Sequence, residues 1–137
     1  MASRLNPYIA FGGNAKEAIE HYQKVFGGEL VIHTYAEFGT PADQGGDKVM
    51  HAQLETPAGL VLMAGDMPPG TEVPKGGNVS ISLSGEDETE LRGYWDNLSD
   101  GGNITMPIEK QMWGDIFGMF TDRFGVDWMV NISQAQG

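Results

Sequence analysis

The sequence contains no cysteine. That excludes disulfides, thiolate nucleophiles and cysteine metal sites, and it suits a reducing cytoplasm. No apolar run approaches the length needed to span a bilayer, and the N-terminus lacks the charged segment followed by an apolar stretch that marks a secretory signal. Cations are scarce: 8 Lys and Arg stand against 19 Asp and Glu, for a formal charge of −11. Such a chain repels phosphate backbones and anionic lipid, so neither nucleic acid nor a membrane is an expected partner, and the expected location is cytoplasmic. With 137 residues, 40% of them hydrophobic and 20% charged, a single domain over 1–137 is expected.

What the chain does have is an internal repeat. NPYIAFGGNAKEAIEHYQKVF from residue 6 aligns without a gap with NVSISLSGEDETELRGYWDNL from residue 78. The match pairs Ile9 with Ile81, Phe11 with Leu83, Gly13 with Gly85, Ile19 with Leu91 and Tyr22 with Tyr94. Further on, VMHAQLETPAGLVLMAGD from residue 49 pairs with DIFGMFTDRFGVDWMVNI from residue 115, matching Gly59 with Gly125 and Met63 with Met129. Each copy reads as strand, helix and three further strands. One such unit is expected to need the other to complete a common core.

The first copy, 6–66, has a strand at 8–11, an N-cap at Asn14 with Glu17 in capping-box spacing, and a helix to Phe26. The helical stripe is Ala15, Ala18, Ile19, Tyr22 and Phe26, and Gly27-Gly28 stops it. A strand over 29–36 leads to a loop at 39–46 that the second copy lacks, then a hairpin of 49–56 and 60–64 turns at Pro57-Ala58-Gly59. The Pro- and Gly-rich segment 67–77 reads as the linker. The second copy, 78–132, repeats the cap spacing with Ser84 and Asp87 and a stripe of Leu91, Tyr94, Trp95 and Leu98. Gly101-Gly102 ends that helix, and strands follow at 104–108, 116–121 and 128–132.

Two βαβββ modules, opened by PYIAF-GGNAKEAIEHY and closed by MWGDIFGMFTDRFGVDWMVN, resemble the PhnB-like branch of the vicinal-oxygen-chelate superfamily of glyoxalases, bleomycin-resistance proteins and dioxygenases. The resemblance implies an α+β glyoxalase-like fold with a concave cup, closed by association into a homodimer. In the superfamily's enzymes one metal ligand commonly sits on the first and fourth strand of each module. Those positions here are Asn6 (or Pro7, if the first strand shifts by one), Met63, Asn78 and Met129. None is a His or a carboxylate, so no metal and no other cofactor is expected. Members of this branch have been called demethylubiquinone methyltransferases, but Gly12-Gly13 leads straight into a helix and offers no G-x-G-x-x-G cradle.

Strand alternation separates two faces. Ile9, Phe11, Val79, Ile81 and Leu83 are expected to pack on the helices, with Met50, Ala52, Leu54, Ile116 and Phe120 from the hairpins. The opposite face then receives Asn6, Tyr8, Asn78, Ser80 and Ser82. His51, Gln53, Phe117 and Met119 join them, with Met63, Met129 and Asn131. Taken singly, each of these suits sheet packing or a subunit contact. Together, one His, amides, hydroxyls, methionines and aromatics make the mixture that small-molecule sites show.

The expected ligand-binding residues are therefore Tyr8, His51, Gln53, Met63 and Asn78, with Ser80, Trp113, Phe117 and Met129. His51, Gln53, Asn78 and Ser80 would orient a small amphipathic organic ligand by hydrogen bonds, while the Met and aromatic groups adapt to its shape. Catalytic residues stay unassigned. His51 could serve as a base, but His21 reads as exposed, the face of His33 is open, and no spacing unites the three. Asp66 could act as an acid or base, or cap the turn that follows it. Ser80 and Ser82 lack a visible Ser-His-Asp arrangement. A metal-dependent lyase, isomerase or dioxygenase is the alternative to a binding protein, and a structural or regulatory dimer is a third class; the fold alone does not choose.

Overall fold

In the computed structural model the described residues are 5–68 and 79–134. The chain divides into two compact units, 1–73 and 74–137, the boundary falling within 67–77. Of that linker, residues 69–77 lie outside the described ones. The first unit runs β1 (Tyr8–Phe11), α1 (Ala15–Phe26), β2 (Glu29–Thr34), β3 (Val49–Glu55) and β4 (Val61–Asp66). The second runs β5 (Ile81–Gly85), α2 (Glu88–Ser99), β6 (Asn103–Lys110), β7 (Ile116–Thr121) and β8 (Asp127–Ile132). Each forms a four-stranded mixed sheet, in the orders β1-β4-β3-β2 and β5-β8-β7-β6, with only the first strand of each unit parallel to its neighbour. The fold is α+β, two copies of one βαβββ module.

Each helix packs on the sheet of its own unit. Ala15, Ala18, Ile19 and Tyr22 of α1 are fully buried with Ala52, Leu54 and Ala64 of the sheet. In the second unit Trp95 stands edge-on to Phe120 at 4.9 Å, and Phe120 stacks on Trp128 at 6.5 Å. Trp95 fits because residue 118 is glycine; a Cβ there would come within 2.6 Å of the indole. Tyr94, expected in the same stripe, instead donates its hydroxyl to Glu90 Oε1 at 2.6 Å on an exposed flank.

The glycine pairs after each helix do more than stop it. A Cβ on Gly28 would fall 2.1 Å from the Glu55 carbonyl oxygen, and one on Gly102 would fall 2.2 Å from that of Thr121. In both units the chain re-enters the sheet by touching the end of the third strand, which only glycine permits.

Four further expectations are corrected. Asn14 makes no side-chain cap. Asp66, from the far end of β4, supplies the carboxylate: Oδ1 accepts from Gly13 N at 2.8 Å and Ala15 N at 3.0 Å, and Oδ2 from Val49 N at 3.0 Å. Met50 does not join the core, because the register shifts between His33 and Thr34 and leaves it as the extra residue of a bulge; Val49, 1% exposed, points inward instead. Val79 precedes β5, outside the ladder, and is 75% exposed. The strand expected over 29–36 ends at Thr34, where Glu37 Oε2 takes the Thr34 N–H at 2.6 Å and a short 3-10 turn, Tyr35–Phe38, begins. No helix among the described residues is long and apolar enough to cross a membrane.

Candidate functional site

With Ile32, Ala52, Leu54, Leu62 and Ala64 turned toward α1, pairing fixes what the other face of the first sheet carries. One row across the four strands is Tyr8, Met63, Gln53 and Val31. The next includes Ala10, Gly65 and the directly paired His51 and His33. Sequence spacing gave no reason to join two histidines 18 positions apart; the antiparallel register of β2 and β3 makes them neighbours on one face. His21 is not with them. It lies half-buried on α1 with its ring 6.1 Å from Tyr22, not on an exposed side.

Tyr8 lies across the sheet rather than standing off it. Its hydroxyl sits over Gly65, where a Cβ would come within 2.3 Å of it, and donates to Met50 O at 3.3 Å. Its ring stacks beside His51 with centroids 5.8 Å apart and planes at 25°. Half the residue stays open, at 53% exposure, and the remainder is partly desolvated against the sheet. That desolvation, with smaller contributions from Tyr35 and Asp66, holds the phenol above its ordinary 10.0. Gln53 donates to Glu55 Oε1 at 2.8 Å, which leaves its carbonyl oxygen for a donor on another molecule. His33 Nδ1 lies 3.3 Å from Glu37 Oε1. Hydrogen bonds from Thr34 N and His33 hold the Glu37 carboxyl below its ordinary 4.5.

The second unit repeats the layout with different chemistry. Ile116, Phe120, Trp128, Val130 and Ile132 are buried toward α2. The other face carries a row of Ser82, Met129, Met119 and Met106, and a neighbouring row of Ser84, Asn131, Phe117 and Glu109. Trp113, in the turn between β6 and β7, is 61% exposed and meets Phe117 edge-on at 5.9 Å. Asn131 donates to Asp115 Oδ2 at 3.1 Å. Ser80 is half-buried just before β5.

The structure thus places Tyr8, His51, Gln53 and Met63 together on the helix-free face of the first sheet, and Phe117 and Met129 on that of the second, with Trp113 beside Phe117. Asn78 lies outside the described residues. Sequence reasoning missed His33, Val31 and Met106 for want of a register. Asp66, weighed as an acid or base, is 4% exposed and committed to three main-chain N–H groups, so it holds structure together. The level of the expected metal positions also moves: Tyr8, rather than Asn6 or Pro7, is paired with Met63, and Ser82, rather than Asn78, with Met129. Thioethers, a phenol and a hydroxyl do not make a donor set for a divalent first-row metal. Among the described residues no three His, Asp or Glu side chains converge as such a set.

A sequence profile of the Glyoxalase/Bleomycin resistance protein/Dioxygenase superfamily matches residues 4–130. Protein YjdN of Escherichia coli is 29% identical, over 96% of this chain and 97% of its own length. Protein PA1353 from Pseudomonas aeruginosa is similar in structure, with a TM-score of 0.87 and 37% identity over 98% of this chain and all of the other. A PhnB protein from Bacillus cereus, described as a putative 3-demethylubiquinone-9 3-methyltransferase, superposes with a TM-score of 0.79 at 26% identity, over 96% of this chain and 100% of that one.

Proposed function

The chain belongs to the Glyoxalase/Bleomycin resistance protein/Dioxygenase superfamily, and from that premise we propose that it binds a small amphipathic organic molecule against the helix-free faces of its sheets, without a divalent metal. The observation that carries the reading is the make-up of those faces. Tyr8, His51 and the free carbonyl of Gln53 offer donors and acceptors beside the Met63 thioether. Phe117, Met119, Met129 and Trp113 offer polarizable apolar surface. Ser80 and Asn78 belong with the polar group in this reading. A planar aromatic bearing hydroxyl or carbonyl groups suits either face taken by itself, since each sets ring or thioether surface for stacking beside hydrogen-bonding groups.

Methyl transfer gains no support. The N-terminus of α1 follows a strand and two glycines, where a nucleotide-like cofactor could be cradled, but Asp66 Oδ1 already takes the N–H groups of both Gly13 and Ala15. The likeness to the Bacillus cereus protein therefore brings that activity no closer to this chain. A metal-dependent lyase, isomerase or dioxygenase needs hard donors where Met63 and Met129 stand.

Elemental analysis after dialysis, with native mass spectrometry of gently purified protein, tests the proposal. The expected result is no stoichiometric Zn, Fe, Mn or Ni and a small organic adduct removed by denaturation. Near one such metal per chain, lost on replacing Met63 and Met129, would restore the enzyme reading. The working form is proposed to be a homodimer, which sedimentation equilibrium would report as twice the chain mass; a monomer at tens of micromolar would contradict it.

A further inference from the structure

Beyond that reading, the geometry points to a second kind of site: we propose that Met106, Met119 and Met129 form a thioether site for a soft monovalent cation, Cu(I) or Ag(I). The antiparallel register pairs Met106 with Met119 and Met119 with Met129, so three sulfur-bearing side chains stand in one row on three adjacent strands. Directly opposite residues have Cβ atoms about 4.5–5.5 Å apart. The outer two, two strand spacings apart, are separated by about 10 Å. Methionine is unbranched and flexible, so the outer sulfurs can swing toward the central one.

Met106 reaches this row by a local device. The β6 register shifts between Ile104 and Met106 and again between Met106 and Glu109, which isolates Met106 as the residue opposite Met119. Bulges of this kind re-aim a side chain. The row is also reachable: Met106 is 39% exposed, and Met119 and Met129 are half-buried.

The first unit supplies an internal comparison. The equivalent row on its β2, β3 and β4 is Val31, Gln53 and Met63. The module therefore does not need methionine at these positions to form its sheet. Neutral thioether donors favour soft ions such as Cu(I) over divalent hard or borderline ones. Glu109, paired with Phe117, and Asp127, paired with Thr121, lie on the same face and place negative charge near a bound monovalent cation. The replacement of hard donors that argues against a divalent metal at Met129 thus leaves the donors a soft ion prefers.

The full chain would be titrated with silver nitrate in chloride-free buffer by calorimetry, and with Cu(I) under anaerobic competition with bicinchoninate. One ion per chain is expected. Met119→Leu should weaken binding at least tenfold, the triple change M106L/M119L/M129L should abolish it, and Met63→Leu in the first unit should leave it unchanged. Leucine conserves volume, so the fold should persist, as circular dichroism would verify. If the triple variant fails to fold, Met106→Leu at its exposed position must still weaken binding. No ion on the native chain, undiminished binding in Met106→Leu and Met119→Leu, or binding by a folded triple variant through histidine would overturn the proposal.

Discussion

Replacing Asp66 isolates one carboxylate that joins three elements of the first unit. Its two oxygens accept from Gly13 and Ala15 at the start of α1 and from Val49 at the start of β3, all within 3.0 Å. Asp66→Asn keeps Oδ1 as a neutral acceptor for the first two donors but turns Oδ2 into an NH2 group facing the Val49 N–H. Hydrogen bonds to charged groups contribute about 1.5–3 kcal/mol each, and a stranded buried donor costs about 1–3 kcal/mol. Asp66→Asn should therefore destabilise the first unit by about 2–4 kcal/mol, and Asp66→Ala, which strands all three donors, by about 4–6 kcal/mol. Residue-resolved amide exchange is the suitable assay, because all three tryptophans lie beyond residue 74 and their fluorescence reports the other unit. Exchange at Gly13, Ala15 and Val49 should accelerate in both variants while α2 amides stay protected. An Asp66→Asn protein within 0.5 kcal/mol of the parent, with those three amides still protected, would refute the structural role and return Asp66 to the list of candidate acids.

Face assignment is tested by contrast: His51→Ala should weaken an amphipathic ligand bound on the first sheet, and Phe117→Ala one bound on the second, each by about 1–3 kcal/mol, whereas Leu54→Ala, at a fully buried position, should cost about 2–5 kcal/mol of stability. The opposite pattern in a denaturation and binding series would mean the faces are inverted. Glu37 has a depressed carboxyl, so its hold on Thr34 N should be complete above its ordinary 4.5 and be lost as pH falls through its lower folded value. The Thr34 amide shift followed by NMR should report that loss, and Glu37→Gln should abolish the pH response. Tyr94, partly desolvated on its helix flank and bonded to Glu90, is pushed up to about 12. Its contribution to stability is present below pH 10 and lost as pH rises toward 12; ultraviolet titration should show a late-ionising phenol that Glu90→Gln brings down.

The fold was legible because its signals are local and repeated. Alternation in each hairpin, the stripe Ala15, Ala18, Ile19, Tyr22 and the glycine pairs 27–28 and 101–102 each constrain the backbone where they stand. What escaped depends on partners distant in sequence. The cap of α1 comes from Asp66, more than 50 residues on, so Asn14 carried the stronger local signal for a bond it does not make. One bulge moved the inward position from Met50 to Val49, which no periodicity could reveal. The second helix buries Trp95 and leaves Tyr94 at the flank because Gly118 opens room for the larger ring. His51 and Gln53 were placed correctly on the helix-free face by alternation, while the pairing of His51 with His33 required the register itself.

The central claim, that the helix-free faces bind a small organic molecule, is tested most directly by methyl NMR of the full chain with 13C-labelled methionine. A ligand found by screening planar aromatics that bear hydroxyl or carbonyl groups would be added in increments. The methyl signal of Met63 or of Met129, according to the sheet face the ligand occupies, is expected to shift and saturate, with that of fully exposed Met112 unmoved. Saturating shifts at Met112 with Met63 and Met129 unchanged would contradict the claim.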